Sequence, residues 1–209
     1  MDYDFYTNPE NWTDGFYELS IEYHPFGNDQ RVNEALFALE KSRFFSGFWE
    51  EKKDYQKRSI SLPIHIEEES VKSYYGTLIL FESTNEELPC MISVIRIEGE
   101  SDWLDISIPQ AAFEKVFSCR YPLTTELNPW LEEINDVFAR LAEAIYLKSP
   151  FDFAMVGDEI SGEANQEELT LELMKNKIYM TCILPTPLLN RLGLNGKGTA
   201  LSNELRKFG

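Results

Sequence analysis

Acidic side chains are concentrated in the loop 157–163, which contains two glycines and carries Asp158, Glu159 and Glu163 directly after an apolar segment. Carboxylate oxygens presented by one loop bind hard divalent cations, and a pair of carboxylates can serve as general acid and base. The spacing is not that of an EF-hand, which needs ligands at alternate positions and a distal bidentate glutamate. The simpler alternative is a solvated turn before a helix. We take these three carboxylates as candidate catalytic residues and predict neither a resident metal ion nor a cofactor.

A second cluster places His65 just before the acidic run 67–69. A histidine beside carboxylates can act as a base or bind a metal ion. The only other histidine of the chain, His24, is too distant in sequence to support such a site. An exposed histidine on an edge strand is the alternative explanation, so His65 joins the candidate catalytic residues with that alternative open.

Trp103, Asp105 and Ser107 alternate along one side of a predicted strand. A large aromatic ring beside two small polar groups on a sheet face can form a platform for a ligand or a partner. The same three side chains could instead lie beneath a helix. We take all three as candidate binding residues.

An aromatic stretch over 44–49 contains two further candidate binding residues, Phe48 and Trp49. Packing into the core beneath a helix is the usual role of such a stretch. If it is exposed, it forms an apolar patch of the kind that marks interfaces, as in an adaptor or an oligomer subunit. The oligomeric state is left open by the sequence, with a homodimer among the alternatives.

Several sequence motifs of common enzymes are absent. The chain has no HExxH, GxSxG, SxxK or GxGxxG motif and no zinc-type spacing of Cys and His, which argues against the protein classes that those motifs define. The segment 193–199 has the composition of a phosphate-binding loop, but Arg191 stands where the first glycine of that motif belongs. We predict instead a mobile tail from about residue 195.

The net charge of −17 is unevenly distributed. The segments 1–30 and 149–174 each hold seven acidic residues and no Lys or Arg. A negative field repels nucleic acid phosphates and anionic membranes and attracts basic proteins, although acidity can also serve solubility alone. We therefore expect no nucleic acid or membrane partner. If the two segments pack side by side, the molecule has one negative face.

Cysteine usage and the N-terminal sequence both indicate a cytoplasmic protein. The three cysteines (Cys90, Cys119 and Cys182) form no CxxC pair, which is typical of small buried apolar residues in a reducing compartment. The first residues lack the basic and apolar regions of a signal peptide, and no apolar run approaches the ~20 residues that span a bilayer.

The 209 residues fit a single domain, 1–209, without repeats or a linker. Period-two and period-3.6 apolar patterns, with proline and glycine boundaries, predict the secondary structure. The predicted strands cover 16–23, 59–66, 75–81, 90–97, 103–108, 151–156 and 177–184. The predicted helices cover 29–41, 111–117, 129–148 (capped by Asn128), 166–175 and a short segment ending at 192. This arrangement predicts an α+β fold, in which a mainly antiparallel sheet packs against one long and several short helices. The sheet has a meander of about four central strands plus N- and C-terminal strands.

The leading functional hypothesis is an acidic protein-binding domain of the bacterial cytosol type, such as an inhibitor or a toxin-neutralising immunity protein, that engages a basic partner. The base-free acidic segments and the missing catalytic motifs motivate it. The first alternative is an enzyme that uses the carboxylates of the loop 157–163, with or without a divalent cation. An adaptor or oligomer subunit is the second.

Overall fold

One antiparallel sheet organises the chain in a computed structural model that describes residues 3–80, 87–176, 179–202 and 204–209. The strands are β1 (Phe16–Tyr23), β2 (Phe45–Trp49), β3 (Ser70–Ile79), β4 (Glu87–Arg96), β5 (Asp102–Pro109), β6 (Phe153–Asp158), β7 (Thr181–Pro185), β8 (Thr199–Ala200) and β9 (Leu205–Phe208). Their order across the sheet is β2-β3-β4-β5-β1-β6-β7-β9-β8. The predicted α+β class is confirmed, but the sheet has nine strands, and the N-terminal strand β1 lies in its middle.

The described helices are short except for two. They are α1 (Tyr3–Thr7), α2 (Asp29–Glu40), α3 (Gln110–Val116), α4 (Leu131–Tyr146), α5 (Leu171–Asn176) and α6 (Thr186–Leu192), with 3-10 helices at Pro9–Trp12 and Lys52–Asp54. Helix α4 forms because its apolar residues recur every three or four positions and become fully buried, as Ile134 and Phe138 do. Asn128 does not cap it, contrary to prediction, because its side chain binds the backbone N–H and C=O of Arg120 instead.

The two faces of the sheet are covered differently. On the first face, Leu19 and Ile21 of β1 enter the main core together with residues of α2 and α4. The alternation of apolar and polar residues over 16–23 predicts that the other face of β1, which carries Glu18, Ser20 and Glu22, is exposed to solvent. That prediction is wrong, because these three residues are 7%, 0% and 1% exposed. A strand in the middle of the sheet is covered on both sides.

Separate parts of the chain cover the second face at its two ends. Over β2 and β3, an aromatic cluster forms from Tyr6, Trp12, Trp49, Tyr55 and Tyr75. Over β6 and β7, apolar residues between 153 and 194 form a second core. In the described part of the chain, no helix has the length and apolar character needed to cross a bilayer.

The segment 59–66 is not the predicted edge strand. The side-chain amide of Asn33 in α2 forms two hydrogen bonds with the backbone of Ile64. It accepts from the N–H at 2.7 Å and donates to the C=O at 2.9 Å. An amide side chain therefore replaces the partner strand, next to a proline that has no N–H to offer. The alternation in this segment also predicts that Ile60, Leu62, Ile64 and Ile66 face inward, and all four do pack against the main core.

The C-terminal region also differs from expectation. Instead of a frayed tail from about residue 195, the chain forms β8 and β9, and β9 pairs with β7. Leu205 is fully buried in the main core, which explains why the segment pairs rather than frays. Three parts of the sequence-based prediction lie wholly or partly outside the described residues: a polar connection that the sequence predicts at 83–87, the end of the strand 75–81 and the start of the strand 177–184.

Candidate functional site

Polar side chains line the second face of the sheet where β5 pairs with β1. Cross-strand register places Glu18 opposite Ser107, Ser20 opposite Asp105, and Glu22 opposite Trp103. Directly paired residues of antiparallel strands project from the same face. The three binding candidates on β5 therefore share a surface with carboxylates of the acidic segment 1–30. Pairing of β1 with β6 also places the two acidic segments side by side.

Two of the buried carboxylates, those of Glu18 and Asp105, form hydrogen bonds with the loop that follows β6. Ser107 donates its hydroxyl to Glu18 Oε1 at 2.9 Å, and the backbone N–H of Ser161 donates to Oε2 at 3.1 Å. Asp105 accepts from the hydroxyls of Ser20 and Ser161 at 2.5 and 2.7 Å. Each carboxylate thus has one oxygen bonded within the sheet and the other bonded to the residues 159–170, here called the covering segment.

Glu22, at the end of this line of polar side chains, also has one oxygen bonded to the residue just before β5 and the other bonded to the covering segment. The hydroxyl of Ser101 donates to Glu22 Oε1 at 2.6 Å, and the backbone N–H of Gln166 donates to Oε2 at 2.6 Å. His24 Nδ1 lies 3.3 Å from the hydroxyl oxygen of Ser101. This order differs from that of a Ser-His-Asp triad, in which the histidine stands between the serine and the acid.

Burial controls the ionisation of these acids. It raises the pKa of Glu18 to about 7, while hydrogen bonds from Ser161 and Ser107 act in the opposite direction. Burial also raises the pKa of Glu22 and of Asp105 above the usual range of carboxyl groups. The hydrogen bonds described for these three acids all come from hydroxyl and backbone N–H groups. Within the described residues, none of these bonds comes from an Arg or Lys side chain that would neutralise the carboxylate charge.

At Glu22, this line of polar side chains borders a cavity of about 400 Å³, here called the acidic cleft. Glu22 and Trp103 lie side by side on its sheet side, and Glu100, Glu167 and Glu168 add three more carboxylates. Among the described residues that line the cleft, none is Lys or Arg. The cleft therefore combines an aromatic ring with four carboxylates in one concave site.

Local sequence explains how the covering segment presents its acids. Asn165 Oδ1 accepts from the backbone N–H groups of Glu167 and Glu168, both at 2.9 Å, which is the geometry of an Asx turn that begins a helical turn. The side chains of Ala164 and Leu169 are buried in the second core on either side. The backbone is thus anchored on both flanks, and Glu167 and Glu168 remain exposed at the rim of the cleft.

The candidate catalytic carboxylates of the loop 157–163 lie elsewhere. Glu159 Oε1 accepts from the backbone N–H of Phe16 at 2.6 Å, and Asp158 accepts from the side chain of Gln110. Burial raises the pKa of Asp158. Glu163 is an exposed residue of the covering segment. Across 3–80, 87–176, 179–202 and 204–209, no group of three or more His, Cys, Asp and Glu side chains is arranged to hold a metal ion.

The remaining candidates are dispersed. His65 has a side chain that is 79% exposed, and its Nδ1 lies 3.8 Å from Asp29 Oδ2, on the side of the sheet that carries α2. Phe48 is buried in the main core, and Trp49 is buried in the aromatic cluster. The structure therefore brings Trp103, Asp105 and Ser107 together and leaves His65, Phe48 and Trp49 apart from them.

Sequence reasoning did not single out Glu22, Glu167 or Glu168. Their only signal was membership of the two base-free acidic segments. Comparison with protein-family models, with curated proteins and with solved structures finds no match to this chain. Function is therefore inferred from the chain's own geometry.

Proposed function

We propose that this chain is a binding protein of the inhibitor or immunity type, and that its acidic cleft receives a Lys or Arg side chain of a basic partner protein. The observation that supports this proposal is the composition of the cleft, in which Trp103 lies among four carboxylates and no described lining residue is Lys or Arg. The unpaired cysteines at positions 90, 119 and 182 suit action in a reducing cytoplasm.

Each part of the cleft favours a cation. Tryptophan is the best aromatic partner for Lys or Arg, and such a contact is worth about 0.5–2 kcal/mol depending on how dry the site is. Glu167 and Glu168 at the rim supply charge-assisted hydrogen bonds. Burial disfavours the ionised form of Glu22 and so raises its pKa. An approaching cation would favour the ionised form and offset that effect.

The net charge of −17 supports the same partner chemistry at longer range. Complementary fields speed the encounter of oppositely charged proteins and weaken as salt is added. A basic partner would therefore bind fastest at low ionic strength, and the cleft would then fix which of its side chains docks.

Reversing the charges of Glu167 and Glu168 at the rim is expected to weaken this recognition strongly. A library of random peptides is selected on the wild-type protein at low ionic strength, and the enriched sequences are expected to contain Lys or Arg. The most enriched peptide is then synthesised and titrated by calorimetry against the double variant E167K/E168K. Loss of two attractions and gain of two repulsions should weaken binding at least about tenfold.

The matched control is the double variant E132K/E133K, which reverses two consecutive exposed acids on α4 and changes the net charge equally. It should bind the peptide nearly as well as the wild-type protein does. Equal losses in both double variants would mean that general attraction, rather than the cleft, binds the peptide. Enrichment of peptides without Lys or Arg would overturn the proposal.

Trp103→Ala is expected to weaken binding of the same peptide about fivefold through loss of the cation–π contact. The indole is only partly buried and packs against the second core, so we expect a modest fall in melting temperature. Calorimetric titration and thermal unfolding measure the two effects separately. Unchanged affinity together with a large drop in melting temperature would assign Trp103 to packing alone.

A further inference from the structure

An apolar row crosses three strands and ends at the acidic cleft. Val71 of β3 pairs with Ile95 of β4, and Ile95 pairs with Trp103 of β5. Trp103 in turn pairs with Glu22 of β1. All four side chains therefore project from the second face of the sheet. We call Val71, Ile95 and Trp103 the apolar row.

The apolar row is left open between the two coverings of the second face. Val71 is 62% exposed, while Ile95 and Trp103 are partly exposed. Farther along the same strands, Ser93 and Asp105 continue this face as a polar row, which is buried. Three neighbouring apolar side chains that stay partly or mostly exposed beside a cleft form a contiguous apolar surface of the kind that makes contacts.

Geometry joins the row to the cleft. Neighbouring strands lie about 4.8 Å apart, so Val71 is about 10 Å from Trp103. An extended chain covers that distance in about three residues, and a helix covers it in about seven. One short segment could therefore place an apolar side chain over Val71 and a Lys or Arg side chain in the cleft.

We propose that the apolar row and the acidic cleft form one continuous binding surface, and that its occupant is a basic segment of the partner protein that carries an apolar residue about 10 Å from the docking Lys or Arg. This inference rests on the proposed function and extends it. Charge complementarity argues for a basic partner over a second copy of this chain, since two copies would each bring a net charge of −17 to the contact.

Val71→Ser tests the row without disturbing the fold, because the valine side chain is mostly exposed. The variant should bind the peptide selected on the wild-type protein about five- to tenfold more weakly. Val71→Ile keeps an apolar surface and should retain the affinity. The control Leu147→Ser removes an apolar side chain that is 69% exposed just after α4, and it should leave binding unchanged.

The outcomes separate this inference from the proposed function. Loss of binding in both E167K/E168K and Val71→Ser supports the continuous surface. Loss in E167K/E168K with full affinity in Val71→Ser overturns the role of the apolar row and leaves the proposed function standing. Full affinity in E167K/E168K overturns the proposed function. If sedimentation equilibrium shows a wild-type dimer that Val71→Ser dissociates, the occupant is a second copy, and the proposed partner is wrong.

Discussion

Replacing Arg96 by alanine is expected to lower the free energy of unfolding by about 3–5 kcal/mol, because the change leaves a buried carboxylate without its cation. Arg96 is 3% exposed and donates from Nε and Nη2 to the two oxygens of Asp102, each at 2.8 Å. Its Nη1 also reaches Asp29 Oδ1 at 2.6 Å and the carbonyl oxygen of Ile66 at 3.1 Å. Chemical denaturation followed by circular dichroism measures the loss.

A second substitution identifies the cause of that loss. Asp102 also accepts from the backbone N–H of Gly27 at 2.9 Å, and asparagine can keep this bond through its amide oxygen. The double variant R96A/D102N should therefore be more stable than R96A alone, because it removes the uncompensated charge. A loss of less than about 1 kcal/mol in R96A would show that the pair behaves like an exposed ion pair and would contradict the prediction.

The Arg96–Asp102 pair also supports the candidate site. Asp102 lies next to Ser101 and Trp103 in the chain, and these two residues line the acidic cleft. The ion pair lies on the opposite face of the sheet, where it joins β4 and β5 to the start of α2 through Asp29. We therefore expect R96A to weaken peptide binding as well, in contrast to an equally destabilising core variant far from this end of the sheet.

The stability of the protein is expected to rise as the pH falls from about 8 to about 5, opposite to the usual behaviour of carboxylates that are stabilised by ion pairs. Burial raises the pKa of Glu18 from 4.5 to about 7. Between those values the folded chain binds more protons than the unfolded chain, so the free energy of unfolding decreases as pH increases. This one group accounts for about 3 kcal/mol over the whole window.

Neighbouring groups act in the same direction. The charges of Asp105 and Glu159 raise the pKa of Glu18 further, and burial raises the pKa of Asp105 and of Glu22 themselves. Protonation of each of these acids is therefore more favourable in the folded chain than in the unfolded chain. Denaturant unfolding curves recorded at several pH values across this window measure the combined slope.

Glu18→Gln isolates the contribution of one carboxylate. The amide keeps an oxygen to accept from Ser161 N–H, and the hydroxyl of Ser107 can reverse to accept from the new NH₂ group. The variant should lose most of the pH slope near neutrality and should be more stable than the wild-type protein above pH about 7. The control Glu10→Gln changes an exposed acid and should leave the slope unchanged. A slope that survives Glu18→Gln intact would contradict the assignment.

The local sequence pattern was sufficient to predict most of the secondary structure, because the periodicity of a helix or strand is visible within a short stretch of neighbouring residues. The alternation over 16–23 predicted β1, and the three- and four-residue spacing over 131–145 predicted α4. Failures occurred where a distant group changed the outcome. Asn33 replaced a strand partner for Ile64, and Leu205 drew the expected tail into the core.

The candidate site shows the same division. The sequence indicated Trp103 as a platform and identified two acidic segments, one of which contains Glu22 and the other Glu167 and Glu168. Glu22 and Trp103 are 81 positions apart in the chain and become neighbours only because β1 pairs with β5. The rim acids reach them because Gln166 donates to Glu22 from the covering segment.

By itself, the sequence determined the acidity of this protein, the side of each strand on which its acids fall and the types of residue available to bind a cation. Only the tertiary structure decided that Glu18, Glu22 and Asp105 are buried while Glu167 and Glu168 stay exposed. The physical reason is that side-chain period is a property of one strand, whereas burial depends on which distant segment packs over it. That packing buries Glu18 beneath the covering segment, which raises its pKa. It also leaves the exposed carboxylates of Glu167 and Glu168 in the same cleft as Trp103.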